Sequence, residues 1–269
     1  MGFDAAFLGL ACPMPRVAER AAEAHVDLDY VHFTVVLDTG RRFARVTGVN
    51  LDGAALVDVP RGGDRWALDE RVPADQQAGA EIYAANDLDR GHLVRRRDPV
   101  WGEPAVAARA NADTFQYPNA APQASGFNQS KELWLGLEDH VLAFADVNRQ
   151  RLSVFTAPVL EPGDPPYRGI RIPLRFWKIA AWRDGAELAA AGFVLDQTPL
   201  VEVADPGATA AGPAGVPALG PFRTFQVPIA DLAALTGLAM PALVDADRFP
   251  PTLLAAGWRE MTEPADLLL

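Results

Sequence analysis

Between residues 30 and 53 the chain reads YVHFTVVLDTGRRFARVTGVNLDG. In its first half Val31, Phe33, Val35 and Leu37 alternate with Tyr30, His32, Thr34 and Val36, the two-residue period of a strand with one apolar face. Asp38-Thr39-Gly40 is a turn signal, and FARVTGVNLDG supplies a second, β-branched strand. A hairpin of this kind commits the chain to antiparallel pairing, because strands joined by a short turn cannot run in the same direction.

The rest of the chain extends that sheet. AALVDV predicts a third short strand directly after the hairpin, and LSVFTAPVL, RIPLRFWKIAAW, AAAGFVLD and RTFQV predict four more. Helices are interspersed among them. VAERAAEAH reads as a short helix before the hairpin. Over residues 130–147, Leu133, Trp134, Leu137, Val141, Leu142 and Ala145 recur at helical spacing, with Ser130 or Asn128 as N-cap. A last short helix is predicted from Pro228 to Gly237. Residues 60–80 read as irregular loop and 104–124 as short, broken structure, while the Pro/Gly/Ala-rich stretch 202–221 predicts a mobile loop. Strands with helices between them make the fold α+β rather than doubly wound, and a single domain over 1–269, with its core at about 28–240, accommodates every element.

Composition narrows the function classes. Hydrophobic residues make up 49% of the chain, enough for a sizeable core. The net charge of −11 argues against indiscriminate adhesion to nucleic acid or an anionic membrane, although a local basic site is compatible with it. Cys12 is the one cysteine, which excludes an intramolecular disulfide and a thiolate zinc site. No apolar run is long enough for a membrane helix, so no membrane partner is expected. The first residues lack the pattern of a signal peptide, which leaves a cytoplasmic location or export without a leader. Phosphate-loop, nucleophile-elbow, HExxH and dinucleotide-binding signatures are all absent.

Chemistry concentrates in LDRGHLVRRRDP, residues 88–99. A neutral His92 can take a proton from water, and Arg90 can hold a phosphate through two parallel hydrogen bonds. Phosphodiester cleavage needs both parts. Gly91 between them allows an unusual backbone conformation or a close approach to a ligand. Arg95, Arg96 and Arg97 read either as a solvated face or as guides for substrate phosphates. The same two readings apply to Arg41, Arg42 and Arg45 on the hairpin, and to Arg168 and Arg171. His32 reads as structural on its strand, His140 as a solvated helix residue and Trp134 as core packing, while His25 carries no motif.

DRGH is followed by N-x-x-P-Q-x-x-x-x-N-Q from Asn119 to Gln129, then by W-x-x-L-E from Trp134 to Glu138. In this order the motifs resemble the DNA/RNA non-specific endonuclease family, the ββα-metal (His-Me finger) nucleases, and in particular its bacterial, endonuclease G-like members. The resemblance runs from about residue 30 to 200 and includes EIYAANDLDRGH and YRGIRIPLRFWK. It implies a central antiparallel sheet with flanking helices and a metal-dependent endonuclease that acts on DNA and RNA and leaves 5′-phosphate ends. It also implies roles. His92 falls on the general base, and Arg90 on the arginine that contacts the phosphate. Asn128 falls on the sole direct protein ligand of a Mg²⁺ ion, with Mn²⁺ as an alternative. Glu138 falls on a carboxylate acting through metal-bound water, Asn119 on a supporting asparagine, Asp89 on an orienting residue and Gln123 on a structural one. The chain departs from the family at Pro118, where Thr or Ser often stands. Asn128 and Glu138 are ten residues apart, about 15 Å on a straight helix, so Asn128 is expected ahead of the helix.

Two other functions compete with this one: an inactive relative that binds nucleic acid or a partner, and a hydrolase for another phosphodiester. Relatives form dimers, so a homodimer is one expected state. A nuclease that spares its own cell also implies an inhibitor or regulatory partner.

Overall fold

The computed structural model describes residues 2–17, 25–60, 62–63, 65–124, 145, 147, 149–198 and 223–261. The strands are β1 (Arg16–Val17), β2 (His25–Tyr30), β3 (Phe33–Asp38), β4 (Phe43–Asp52), β5 (Leu88–His92), β6 (Ala120–Ala124), β7 (Arg151–Val159), β8 (Pro166–Tyr167), β9 (Ile170–Arg171), β10 (Arg175–Asp184), β11 (Glu187–Asp196), β12 (Arg223–Val227), β13 (Leu238–Ala239) and β14 (Arg259–Met261). The helices are α1 (Ala80–Tyr83), α2 (Pro104–Asp113), α3 (Ile229–Thr236) and α4 (Pro241–Asp245).

Eight strands form one sheet in the order β14-β12-β11-β10-β7-β4-β3-β2, antiparallel at every step. The fold is α+β, with few helices around a large antiparallel sheet, as expected. Both faces of the sheet are covered, which explains why RFWKIAAW is apolar almost without interruption. In β10, Phe176, Ala180 and Trp182 join one core, and Trp177, Ile179 and Ala181 join the other. The first core takes Phe33, Val35 and Leu37 from β3 and is roofed by Ile82, Tyr83, Leu93, Val94 and Tyr117. The second is closed by Leu8 and Cys12 from the N-terminal segment, Ile229 and Leu232 from α3, and Leu243 from α4. Cys12 is buried there, and desolvation pushes its thiol up to about 12, so it is a packing residue at neutral pH.

Several boundaries differ from expectation. YVHFTVVLDT is not one strand. It breaks at Val31–His32, where His32 takes φ 67° and closes a β2–β3 hairpin. The break follows from a distant partner: the His32 ring stacks on Trp101 at 3.5 Å and its Nδ1 donates to Pro99 O at 2.8 Å. AALVDV forms only an isolated bridge, Leu56 to Trp101. Residues 104–124 contain the ten-residue helix α2, started by Pro104 in its first turn, where a missing N–H costs nothing. Val17 and His25, the ends of the expected VAERAAEAH helix, lie in strands. The helix expected over 130–147 is described only at Ala145 and Val147, both helical, and the stretch 202–221 lies outside the described residues. The final helix runs as predicted, from N-cap Pro228 to Gly237 in the left-handed conformation, φ 68°. Among the described residues no helix is long and apolar enough to cross a membrane.

Candidate active site

DRGH lies on β5, which pairs with β6 in a separate two-stranded ribbon. The register sets His92 opposite Ala120, Gly91 opposite Ala121, Arg90 opposite Pro122 and Asp89 opposite Gln123. Side chains alternate along a strand, so Arg90 and His92 project from one face of the ribbon and Asp89 and Gly91 from the other. Small partners on the first face, Pro122 and Ala120, leave room beside the two functional groups.

Gly91 is needed for a reason other than the two its sequence context suggests. Its backbone is ordinary strand. A Cβ at Gly91 would stand 2.0 Å from Gln123 Cδ and 2.5 Å from its Cγ, and Gln123 is itself buried. The close approach is therefore made by the Gln123 side chain rather than by a ligand, which agrees with a structural reading of Gln123.

Arg90 and His92 stand on an aromatic floor. The Arg90 guanidinium carbon lies 5.5 Å from the centre of the Tyr83 ring, within cation–π range. Tyr83 stacks on Tyr117 at 6.1 Å, Tyr117 meets Trp66 at 5.8 Å, and Trp66 meets His92 at 4.7 Å. Phe115 packs edge-on against His92 at 5.1 Å. The floor holds both polar groups in fixed orientation and keeps water from one side of the imidazole. Burial pushes the Tyr83 hydroxyl far above the usual tyrosine range, so it stays protonated and is available only as a neutral donor or acceptor. Among the described residues neither Tyr83 Oη nor Arg90 Nε has a hydrogen-bond partner, and Arg90 makes no ion pair. A buried donor without an acceptor costs about 1–3 kcal/mol, so an acceptor at either position would be stabilising.

Asn119 is fully buried at the end of a 3-10 turn, Tyr117–Asn119. Its Oδ1 accepts from Val94 N at 2.8 Å, and its Nδ2 donates to Val94 O at 2.9 Å and Thr114 O at 3.0 Å. Its backbone carbonyl accepts from Leu93 N at 2.9 Å. Asn119 thus clamps the two residues that follow His92, and its carboxamide is spent within the protein. Pro118 fits inside the turn, where Asn119 N reaches Gln116 O and no donor is asked of the proline.

The arginine run divides. Arg96 donates to Val59 O at 3.1 Å and Asn111 Oδ1 at 2.9 Å and ties two loops together, while Arg97 is exposed and Arg95 half-buried. Arg45 is held by Asp38 at 2.8 Å. Asp89 is half-buried on the Gln123 side of the ribbon. Asn128 and Glu138, with His140 and Trp134, lie outside the described residues. Trp66, Tyr83, Phe115 and Tyr117 were not foreseen as site residues. Tyr83 had the best local signal, since it stands in EIYAANDLDRGH seven residues ahead of Arg90.

Comparison with known proteins gives the chain a family. The family model for DNA/RNA non-specific endonuclease matches residues 17–247. A curated relative, "Uncharacterized protein y4fB" from Sinorhizobium fredii (strain NBRC 101917 / NGR234), is 38% identical over 262 residues, covering 88% of this chain and 38% of the relative. The chain therefore spans about two fifths of that relative's length. A chain in the crystal structure of the EndoG/EndoGI complex superposes with a TM-score of 0.59 at 17% identity, covering 79% of this chain and 84% of that one. At that identity the likeness speaks for the fold.

Proposed function

The chain belongs to the DNA/RNA non-specific endonuclease family, and on that premise we propose that it is a sugar-non-specific endonuclease that hydrolyses phosphodiester bonds of DNA and RNA. The observation that carries the reading is the pairing of Arg90 and His92 on one face of the ribbon, with the guanidinium unneutralised by any described carboxylate. His92 takes a proton from the attacking water. The water oxygen forms a bond to phosphorus, the bond from phosphorus to the 3′ oxygen breaks, and that oxygen leaves with a proton from solvent. The products are a 5′-phosphate and a 3′-hydroxyl. Arg90 holds a non-bridging oxygen and offsets the charge that grows on the phosphoryl group. Asn119 positions the chain beyond His92, and Asp89 orients the strand. Contacts to phosphate and sugar carry no base information, which suits low sequence selectivity.

Enzymes of this family depend on a divalent metal ion. Asn128 and Glu138 offer hard oxygen donors of the kind Mg²⁺ prefers, and in our reading Asn128 would ligate the ion directly and Glu138 through water. Among the described residues no three His, Cys, Asp or Glu side chains converge into another ion site. When bound, the ion supplies positive charge to the phosphate and the leaving oxygen. We read residues 1–269 as one nuclease domain, supported by the family match, which runs without a break across 17–247.

The direct test is incubation of the purified chain with supercoiled plasmid and with structured RNA. Mg²⁺ is expected to give degradation of both, and excess EDTA to abolish it. Intact substrates after prolonged incubation with Mg²⁺ would sink the nuclease reading.

A further inference from the structure

We propose a second phosphate-binding site, away from the scissile position, in the cleft between the β3–β4 turn and the β8–β9 hairpin, which takes the sugar-phosphate backbone of a bound nucleic-acid strand. It rests on the nuclease reading for the identity of the polymer, but its geometry stands by itself. The cleft has a volume of about 480 Å³ and is lined by Gly40, Arg41, Tyr167, Arg168, Gly169 and Arg171, among others. Arg42 adds a fourth guanidinium, because a Cβ on Gly169 would lie 4.0 Å from its Nη1.

The charges there are incompletely offset. Arg41 is paired with buried Asp164, at 2.5 Å, and Arg42 with Glu81, at 2.7 Å. Arg168 and Arg171 have only neutral partners among the described residues: Arg168 donates to Glu81 O and Ala84 O at 2.8 and 2.6 Å, and Arg171 to Asp164 O at 2.9 Å. Those carbonyls fix the guanidiniums in place without cancelling their charge. Among the described residues, two of the four guanidiniums are thus paired with a carboxylate and two are not, in a protein whose net charge is −11.

The backbone points the same way. Arg168 and Gly169 form a two-residue hairpin turn with φ 43° and 80°, and Arg42 has φ 67°. Glycine or asparagine suits such positions, and a long side chain there is strained. Two arginines held in left-handed turns beside one cleft are an unusual use of turn positions, and an outlier of this kind is grounds for a functional reading.

The cleft is tied to the candidate active site. Asn86, just ahead of β5, donates to Tyr167 Oη at 2.7 Å, and Arg168 holds the carbonyl of Ala84. Ala84 is six residues from Arg90, so their backbones are at most about 20 Å apart, at ~3.3 Å per residue. That is at most about six phosphates of one strand of a duplex, at ~3.4 Å of helix axis each, a span a bound nucleic acid covers. A polyanion fits this face better than an acidic protein does. Guanidiniums fixed by neutral carbonyls can each meet a phosphate through two parallel hydrogen bonds, and a nucleic-acid strand repeats that group along its length.

The test is binding of a fluorescent 24-nucleotide single strand in EDTA, where no cleavage is needed, across a salt titration. Asparagine is favoured at left-handed turn positions, so Arg168→Asn removes the charge while keeping the turn. The Arg168→Asn/Arg171→Gln double variant is expected to bind about 10-fold more weakly at low salt. The slope of log K against log salt is expected to fall by about 1.4, at ~0.7 per single-strand phosphate contact, and by about half that in Arg171→Gln alone. Arg183→Gln, at an exposed arginine outside the cleft, is expected to match wild type. An unchanged slope in the double variant overturns the proposal, as does displacement of the strand by poly-L-glutamate at equal charge. A wild type that binds with the steeper slope yet never cleaves would remove the nuclease reading and support the cleft.

Discussion

His92→Ala is expected to lower the rate of plasmid cleavage by about 10²–10⁴-fold, the usual contribution of a positioned general base, with the thermal unfolding midpoint close to wild type. The ring is half-buried and contacts Trp66 and Phe115 through its faces and edges, so its loss leaves a gap at the rim rather than in the sheet cores. The pH profile separates a base from a packing residue. The wild-type rate is expected to level off once the imidazole is neutral, whereas the variant, left with hydroxide from solution, should keep rising with pH. A variant that cuts as fast as wild type at neutral pH would show that the proton goes elsewhere.

The second large effect is expected at Asn119. Replacement by alanine leaves Val94 N–H, Val94 C=O and Thr114 C=O without their partners in a fully buried site. At about 1–3 kcal/mol for each unsatisfied group, partly relieved by relaxation, the loss is about 3 kcal/mol or more, read as a lower urea midpoint. Activity is expected to fall as well, because Leu93 and Val94 set the end of β5. The surviving activity should retain the levelling of the pH profile that His92→Ala lacks. If stability were unchanged while turnover collapsed, Asn119 would act on the substrate rather than on the strand.

Much of the sheet was legible because its signals are local. LSVFTAPVL, RIPLRFWKIAAW, AAAGFVLD and RTFQV became β7, β10, β11 and β12, since dense β-branched and aromatic runs bounded by turns have few alternatives. Errors arose where a remote contact decided the backbone. Nothing near His32 announces that Trp101 will stack on it and hold a left-handed turn open inside an alternating strand. Helix α2 was missed despite Pro104 at its start, because its alanine-rich sequence shows little amphipathic period. The candidate site divides the same way. Arg90 and His92 share a face through their spacing alone. Their floor comes from Trp66, Tyr83, Phe115 and Tyr117, on three separate segments whose convergence no local pattern encodes.

The pairing of β4 with β7 also sets an order of assembly. Asp52 pairs with Arg151, so the ribbon with Arg90 and His92 lies inside a loop of about a hundred residues that closes only when these two central strands meet. Closing so long a loop carries a large entropy cost before any contact repays it, and topologies rich in such pairings fold slowly. During refolding, hydrogen-exchange pulses are expected to protect amides of the β3–β4 hairpin before those of β5; the reverse order would refute this. On a ribosome, Arg90 and His92 emerge long before β7. From the emergence of His92 to that of Arg151, 59 residues later, the growing chain carries both side chains while the loop that holds them cannot close, a delay inherent in strand order.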